Sequence, residues 1–297
     1  MTPDFDLKKY LESRRLTVEE ALEAALPEEE GPEARVVEAM RYSLFAGGKR
    51  LRPILCLAAA EAVGGKLESA MPAACAMEMI HTYSLIHDDL PAMDDDDLRR
   101  GKPTNHKVFG EAIAILAGDG LLTEAFVLLS GYNNLLSERT VQLIGVIARA
   151  ASYRGMVGGQ VVDMLSQNKP ADVETVQQMH SRKTAALIAA AAESGALAGE
   201  GSEVQVEALA NYGRAIGLAF QIADDILDIE GDTEVLGKTA GSDLARGKVT
   251  YPAAVGLERS RQAARELVDD ALAALEGFDH RADPLRALAR YIITRKK

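Results

Sequence analysis

Apolar residues recur at intervals of three and four through almost the whole chain, which is the spacing of one face of an α-helix. Glycines and a polar stretch at 27–32 interrupt the pattern. No useful alternating strand pattern, fixed-period repeat or Pro- or Ser-rich linker divides the chain. The sequence therefore predicts one all-α domain over residues 1–297, a single large helical bundle around a central cavity. The predicted helices cover residues 5–25, 33–46, 51–63, 69–92, 110–132, 138–166, 172–199, 203–230, 250–274 and 283–295.

Composition excludes several classes of protein. With 297 residues, 47% of them hydrophobic, the chain can bury a sizeable core. A net charge of -12 argues against a general nucleic-acid or anionic-membrane surface. The polar amino terminus has no apolar signal core, and no apolar run reaches the roughly 18 residues that a bilayer span needs. We therefore expect a soluble, cytoplasmic protein without stable membrane insertion, in which Cys56 and Cys75 are buried free thiols.

Two clusters of aspartates emerge from apolar sequence. The first comprises Asp88, Asp89 and Asp94 to Asp97, and the second comprises Asp224, Asp225 and Asp228. Crowded carboxylates repel one another and resist desolvation, so a hard divalent cation is their natural partner, and Mg2+ suits a site that also binds phosphates. A solvated acidic turn would explain one such run, but two matched clusters favour a metal site. The first run also lacks the glycine and glutamate of a calcium-binding EF-hand loop.

Helix geometry separates the two clusters. Asp224 and Asp228 are four residues apart and share a helix face, with Gln221 one turn earlier. In the first cluster Pro91 disturbs the helix, so Asp94 to Asp97 are expected at or beyond its end. Acids at a helix carboxyl end oppose the helix dipole, an arrangement that makes sense if a metal binds there.

Basic residues lie close to both clusters in the sequence. A bidentate arginine together with lysine point charges suits phosphate oxygens, so these residues predict a diphosphate site. The segment Gly237–Gly247 lacks the residue order and the preceding strand of a P-loop, and we interpret it as a mobile flap. The candidate phosphate-binding residues are Lys49, Arg52, Arg99, Arg100, Lys183 with Thr184, Lys238 and Lys248.

Five motifs in order, GGKRLRP, DDLPAMD, KT, GLAFQ and DDILD, resemble those of the bacterial farnesyl diphosphate synthase family of short-chain trans-prenyltransferases. The resemblance extends from about Lys49 to the carboxyl terminus. It implies the all-α isoprenoid-synthase fold, usually as a homodimer. It also implies head-to-tail condensation of an allylic diphosphate with isopentenyl diphosphate, by ionisation, condensation and elimination.

The resemblance also assigns roles to individual residues. Asp88 and Asp94 would hold two Mg2+ ions and Asp224 a third, with Asp89, Asp225 and Asp228 in support. Thr184 and Gln221 would offer oxygen dipoles to the allylic cation. The residues that would grip the allylic diphosphate are Arg99, Lys183, Lys238 and Lys248. Those that would hold isopentenyl diphosphate are Lys49, Arg52, His81 and Arg100.

The residue five positions before the first motif limits product length in this family, and here it is Tyr83, followed by Ser84. An aromatic residue there resembles the fifteen-carbon enzymes, so we expect (2E,6E)-farnesyl diphosphate as product, with geranylgeranyl diphosphate as the alternative. On an ideal helix Ser84 lies only about 40° from Asp88 and Tyr83 about 140°, so helix geometry alone does not single out Tyr83. The plain alternative is a tyrosine that serves packing.

Two other classes share the fold. A terpene cyclase would not need the isopentenyl-binding set of Lys49, Arg52 and Arg100, so GGKRLRP argues against it. A catalytically silent partner subunit would carry eroded aspartates, whereas both motifs are intact here. Synthesis of a linear prenyl diphosphate is therefore the expected activity.

Overall fold

A computed structural model describes residues 5–132, 135–170, 172–230 and 247–295. Within these ranges the regular secondary structure is helical apart from one very short two-stranded sheet, which confirms the all-α prediction. The helices are α1 (Leu7–Ala25), α2 (Ala34–Leu44), α3 (Leu51–Ala62), α4 (Leu67–Asp88), α5 (Asn105–Phe109), α6 (Glu111–Ser130), α7 (Ser137–Ala151), α8 (Met156–Ser166), α9 (Val173–His180), α10 (Ala186–Ala198), α11 (Glu203–Glu230), α12 (Tyr251–Val255), α13 (Leu257–Ala274) and α14 (Asp283–Thr294). A π-helical turn, Ser181–Ala185, joins α9 to α10, and a 3-10 turn, His280–Ala282, precedes α14.

Side-chain caps and glycines set several of these boundaries. The carboxylate of Asp6 accepts a hydrogen bond from the amide of Lys9 at the start of α1 (3.0 Å), and Asp172 does the same for Thr175 at the start of α9 (2.9 Å). Gly256, with a φ of +80°, turns the chain between α12 and α13. Left-handed backbone of this kind favours glycine, which explains why the predicted helix 250–274 is two helices.

The core forms around α4, which packs against α3, α6 and α10, and α11 packs against α10 and α13. Two glycines of α11 let it approach α10 and the π-helical turn closely. A Cβ at Gly213 would lie 2.6 Å from the Cα of Ala189, and one at Gly217 would lie 2.7 Å from the Cα of Ala185. The close contact fixes α11, and with it the second aspartate cluster, against the π-helical turn.

Both cysteines are buried and free, as the sequence predicts. Burial raises the pKa of the Cys75 thiol to about 12 and that of Cys56 further still, so both remain protonated. They therefore act as small apolar side chains in the core.

The structure also divides a second predicted helix, at a point where the backbone packs tightly, and shortens another. The predicted helix 138–166 breaks before α8, because Gly155 turns so sharply that a Cβ there would lie 2.0 Å from the carbonyl oxygen of Ala150. The predicted helix 69–92 already ends at Asp88. Beyond it, strands β1 (Leu98–Arg99) and β2 (Lys102–Pro103) pair in an antiparallel hairpin.

The expectation that no apolar run is long enough to span a bilayer was wrong. Helix α6 is long and apolar enough to do so by length and composition, and only 33% of its most apolar window is buried. This is weak evidence for a membrane span, because a core helix passes the same test. Ala117, Leu121 and Ala125 belong to the main core, while Leu116 and Val127 on the same helix are exposed.

Candidate active site

A turn after α4 folds the first aspartate cluster back on itself. The amide of Asp94 donates to the carbonyl oxygen of Asp88 (2.9 Å), and Asp95 takes a left-handed φ of +50°. Asp94 to Asp97 therefore lie beyond the helix end, as the position of Pro91 predicted. Burial raises the pKa of Asp88 to about 6, and the nearby carboxylate of Asp94 adds to the rise, against the opposing charge of Lys183.

The second cluster, on α11, exposes one of its three carboxylates. Asp225 and Asp228 are 3% and 4% exposed, whereas the side chain of Asp224 is 43% exposed. Asp225 accepts hydrogen bonds from the side-chain amide of Gln221 (3.0 Å) and the backbone amide of Tyr251 (2.8 Å). These bonds hold Asp225 as a structural acceptor, so Asp224 is the carboxylate of this motif that faces the opening.

Lys183 and Thr184 lie on the π-helical turn, a local irregularity that is frequent at functional sites. The Nζ of Lys183 lies 2.5 Å from the carboxylate of Asp163 on α8, and the hydroxyl of Thr184 donates to the side-chain oxygen of Gln221 (2.8 Å). Gly159 makes room for this turn, since a Cβ there would lie 2.2 Å from the amide nitrogen of Lys183. Thr184, Gln221 and Asp225 thus form one hydrogen-bonded chain across two helices.

Two cavities meet at the π-helical turn. One, of about 320 Å³, is lined by Asp224, Lys248 and the residues around Asp225. The other, of about 420 Å³, runs from Asp88 past apolar side chains of α4 and α8. Lys183 and Thr184 line both cavities. The polar cavity suits a diphosphate and the apolar cavity suits a hydrocarbon tail, with the KT pair at their junction.

A cationic pocket surrounds His81 on α4. Burial and the neighbouring guanidinium groups, Arg52 and Arg100 first among them, hold the pKa of His81 well below its usual range. Burial, together with the charge of Arg100, also lowers the pKa of Arg52, whose buried Nε has no hydrogen-bond partner among the described residues. A neutral imidazole beside Arg52 and Arg100, with the nearby Glu78 already paired to Arg50, is a site for an anion.

The GGKRLRP loop shapes this pocket and divides its basic residues. Gly48, with a φ of +131°, leaves space for Arg100: a Cβ there would lie 2.7 Å from the guanidinium carbon. The guanidinium of Arg100 donates to the carbonyl oxygen of Gly47. Lys49 is exposed and lines a separate groove with Phe220 and Arg295, so the structure does not bring it together with Arg52 and His81.

The remaining predicted phosphate-binding residues are Arg99, Lys248 and Lys238. Arg99 donates from Nε to both carboxylate oxygens of Asp89 (2.7 and 2.9 Å), which ties it to the support residue of the first motif. The Nζ of Lys248 lies 3.4 Å from the carboxylate of Asp94, and Lys248 lines the polar cavity with the second aspartate motif. Lys238 and most of the predicted flap lie outside the described residues.

The carboxylates of the two aspartate motifs fit Mg2+. No three of the described His, Cys, Asp and Glu side chains could together hold one metal ion. Mg2+ does not need such a cage, because it keeps several waters and binds through one or two carboxylates plus substrate phosphates. Asp88, Asp94 and Asp224 offer only oxygen ligands; Asp224 lines the polar cavity, Asp88 lines the apolar one, and burial raises the pKa of Asp88.

Several residues at the site carry no signal in the sequence. Asp163 is a lone acid on an apolar helix, and its contact with Lys183 arises only when α8 packs on the π-helical turn. Arg295 lies in a basic carboxyl terminus, yet its guanidinium reaches the carboxylate of Asp224 (2.5 Å) and stacks over the ring of Phe220 (3.9 Å). Buried Glu78 pairs with Arg50 beside the cationic pocket.

Comparison with known proteins assigns most of the chain to one family. The family model "Polyprenyl synthetase" matches residues 33–288. Geranylgeranyl pyrophosphate synthase 11, a chloroplastic enzyme of Arabidopsis thaliana, is 52% identical over 98% of this chain and 83% of its own length. An FPP/GFPP synthase from Zymomonas mobilis is 41% identical with a TM-score of 0.86, covering 97% of this chain and 98% of that one. The geranylgeranyl pyrophosphate synthetase of Pyrococcus horikoshii Ot3 is 32% identical with a TM-score of 0.88, over 97% and 98%.

These comparisons correct one expectation and confirm another. The expectation of a cytoplasmic location was wrong, because the matched plant relatives from Arabidopsis thaliana and Capsicum annuum are chloroplastic. The isoprenoid-synthase fold is confirmed by the solved structures, which superpose over nearly the whole chain.

Proposed function

The chain belongs to the polyprenyl synthetase family of prenyltransferases and elongates prenyl chains, and we propose that it makes geranylgeranyl diphosphate. In this proposal it condenses isopentenyl diphosphate head to tail with allylic diphosphates. The observation that carries the proposal is the 52% identity to a geranylgeranyl pyrophosphate synthase over 98% of this chain. It favours the twenty-carbon product over the fifteen-carbon one expected from the aromatic residue Tyr83.

In the proposed reaction the allylic diphosphate occupies the polar cavity. Lys183 and Lys248 contact its oxygens from two sides, and both already lie beside carboxylates of the site, Lys183 at Asp163 and Lys248 at Asp94. Mg2+ bound at Asp88, Asp94 and Asp224 would neutralise the diphosphate and make it a leaving group. The hydrocarbon tail extends from this point into the apolar cavity.

Isopentenyl diphosphate would bind in the cationic pocket of Arg52, His81 and Arg100. Its diphosphate would add negative charge beside these guanidinium groups, and it is positioned without being ionised. Arg52 and His81 also line the apolar cavity, so the double bond of isopentenyl diphosphate can approach the allylic carbon there. Close approach in a fixed orientation supplies a large part of the rate.

Thr184 and Gln221 direct oxygen dipoles towards the developing allylic cation. Their hydrogen bond to each other, and that of Gln221 to Asp225, fix both groups before reaction, so that little reorganisation is needed. The proton lost in the last step goes to the departing diphosphate. Apolar helices around the tail exclude water, which would otherwise convert the cation to an alcohol.

Farnesyl diphosphate is the second candidate product. Tyr83 lines the apolar cavity and is 7% exposed, so an aromatic ring does stand beside the growing tail. The similar Zymomonas mobilis enzyme is an FPP/GFPP synthase, which shows that relatives of this chain differ in product length.

The same family membership supports a proposal of a homodimer. Helix α6 exposes Ile115, Leu116 and Val127 at 44%, 54% and 54%, and α8 exposes Val161 and Leu165. Exposed apolar side chains grouped along one long helix are typical of an interaction surface. A second copy of the chain would cover it.

One incubation tests the proposed function. The chain, Mg2+, dimethylallyl diphosphate and isopentenyl diphosphate are mixed, and the dephosphorylated products are separated by chain length. Geranylgeraniol as the main product supports the proposal, and farnesol supports the second candidate. A cyclic hydrocarbon, or no product at all, contradicts both. Omission of Mg2+ with added EDTA should abolish the product.

A further inference from the structure

His87 fills the space between α4 and α6 at the side of the apolar cavity. Its ring meets that of Tyr83 edge-on, with centroids 5.6 Å apart and planes at 83°. Its Nε2 lies 3.1 Å from the carbonyl oxygen of Ile115 on α6. Both rings line the cavity, and they are four residues apart on one helix, so they stack along the same face. We call Tyr83 and His87 together the ring wall.

Gly118 of α6 makes room for the imidazole of His87. A Cβ at Gly118 would lie 2.2 Å from Nε2 and 2.5 Å from Cδ2 of His87. Real Cβ atoms do not approach other atoms this closely, so any larger residue at 118 would push the imidazole off its position. Tyr83 and the cavity lie beside the ring, so a side chain at 118 that displaces the imidazole from α6 would press it towards them.

From this geometry we propose that His87 is a second product-length residue, and that Gly118 sets its position; the proposal rests on the prenyl-elongation activity. Tyr83 forms one part of the ring wall, and His87 forms the part that faces α6. Without the imidazole, the cavity would continue to the bare backbone at Gly118, and the added length would accommodate a further five-carbon unit. A side chain at Gly118 would act in the opposite direction and shorten the product.

The test compares product lengths of His87→Ala, Gly118→Ala and the double variant under the same conditions as wild type. His87→Ala should shift the main product up by one five-carbon unit, and Gly118→Ala should shift it down by one. In the double variant the new Cβ no longer meets a ring, so its product should return to the wild-type length or longer. Gly120→Ala is the matched control on α6, because its Cβ would meet only the flexible thioether of Met40.

These outcomes distinguish the role of His87 and Gly118 in product length from the proposed synthesis of geranylgeranyl diphosphate. A wild-type chain that elongates to fifteen rather than twenty carbons contradicts the proposed product but leaves the predicted shifts in place. An unchanged product length in folded His87→Ala overturns the role of His87, whatever Gly118→Ala does. If Gly118→Ala shortens the product equally with and without the imidazole, Gly118 acts independently of His87 and the proposal fails.

Discussion

The guanidinium of Arg50 and the carboxylate of Glu78 form a buried ion pair. Nη1 lies 2.7 Å from Oε1, and the two side chains are 1% and 2% exposed. Arg50 has a left-handed φ of +51°, and its Nη2 also donates to the carbonyl oxygen of Leu44 (2.7 Å). The pair therefore anchors the GGKRLRP loop to α4, one turn before His81. It also places the side chains of Lys49 and Arg52 on different sides of the loop.

Glu78→Gln should destabilise the fold by about 3 kcal/mol, because it removes the nearer carboxylate from the buried charge of Arg50 and leaves only Glu19, 3.7 Å from Nε. The cationic pocket should also loosen, so we expect KM for isopentenyl diphosphate to rise more than kcat falls. Denaturant unfolding and steady-state kinetics measure the two effects. The control is Glu38→Gln, which breaks the exposed pair Arg35–Glu38 and should cost under about 1 kcal/mol. Equal losses in both variants would contradict the anchoring role.

Gly159→Ala should lower the activity at least tenfold. Its Cβ would lie 2.2 Å from the amide nitrogen and 2.6 Å from the Cα of Lys183, so the π-helical turn must move, and overpacking of this kind costs about 1–3 kcal/mol. Gly145→Ala in α7 is the control, since its Cβ would meet nothing closer than 3.5 Å and alanine favours the helix. Activity and thermal midpoint measure both variants. Full activity in Gly159→Ala would show that the turn tolerates displacement.

The aspartate positions could be predicted from the sequence because local rules determine them. Pro91 ends the helix, and the spacing of Asp224 and Asp228 fixes their shared face. The partners of those groups could not be predicted in the same way. Asp163 meets Lys183, and Arg295 meets Asp224, only through packing between helices distant in the chain. The separation of Lys49 from Arg52 depends on a left-handed residue, Arg50, that no local pattern marks.

Arg295→Gln should destabilise the metal-free protein by about 1–3 kcal/mol. The substitution removes a charged hydrogen bond to Asp224 and a cation–π contact with Phe220. Because the guanidinium competes with a metal ion for Asp224, added Mg2+ should stabilise the variant more than wild type. Thermal unfolding with and without Mg2+ measures both effects. Arg290→Gln, at an exposed position of α14, should stay within about 0.5 kcal/mol of wild type. Equal Mg2+ stabilisation of Arg295→Gln and wild type would contradict the competition.

Leu116→Asp should dissociate the proposed dimer. A charge at the centre of a desolvated interface costs several kcal/mol, whereas the same charge on an exposed monomer surface costs little. Light scattering after size exclusion gives the mass of each variant. Val204→Asp is the matched control, because Val204 is 78% exposed on α11, which packs mainly against α10 and α13. A monomeric wild type, or a dimeric Leu116→Asp, would contradict the proposed interface.

Protonation of Asp88 should weaken metal binding below about pH 6. Burial raises the pKa of this carboxyl from 3.8 to about 6, with Asp94 and Asp89 adding to the rise and Lys183 and Arg99 opposing it. A raised pKa means that folding favours the neutral acid. The neutral carboxyl of Asp88 stabilises the fold fully below about pH 4, and this stabilisation is lost as the pH rises through 6. The metal-free protein should therefore lose stability across this window.

Mg2+ should reverse that trend, because it binds the ionised carboxylate. We expect the rise in thermal midpoint on adding Mg2+ to be large at pH 7.5 and small at pH 5. Asp88→Asn keeps the shape of the side chain but cannot titrate. The metal-free variant should therefore lack the loss of stability between pH 4 and 6 that ionisation of Asp88 causes. Its rise in thermal midpoint with Mg2+ should be small at both pH values. The same variant should lose turnover while remaining folded. Wild-type turnover in Asp88→Asn, or an equal Mg2+ response at both pH values in the native chain, would remove Asp88 from the metal site.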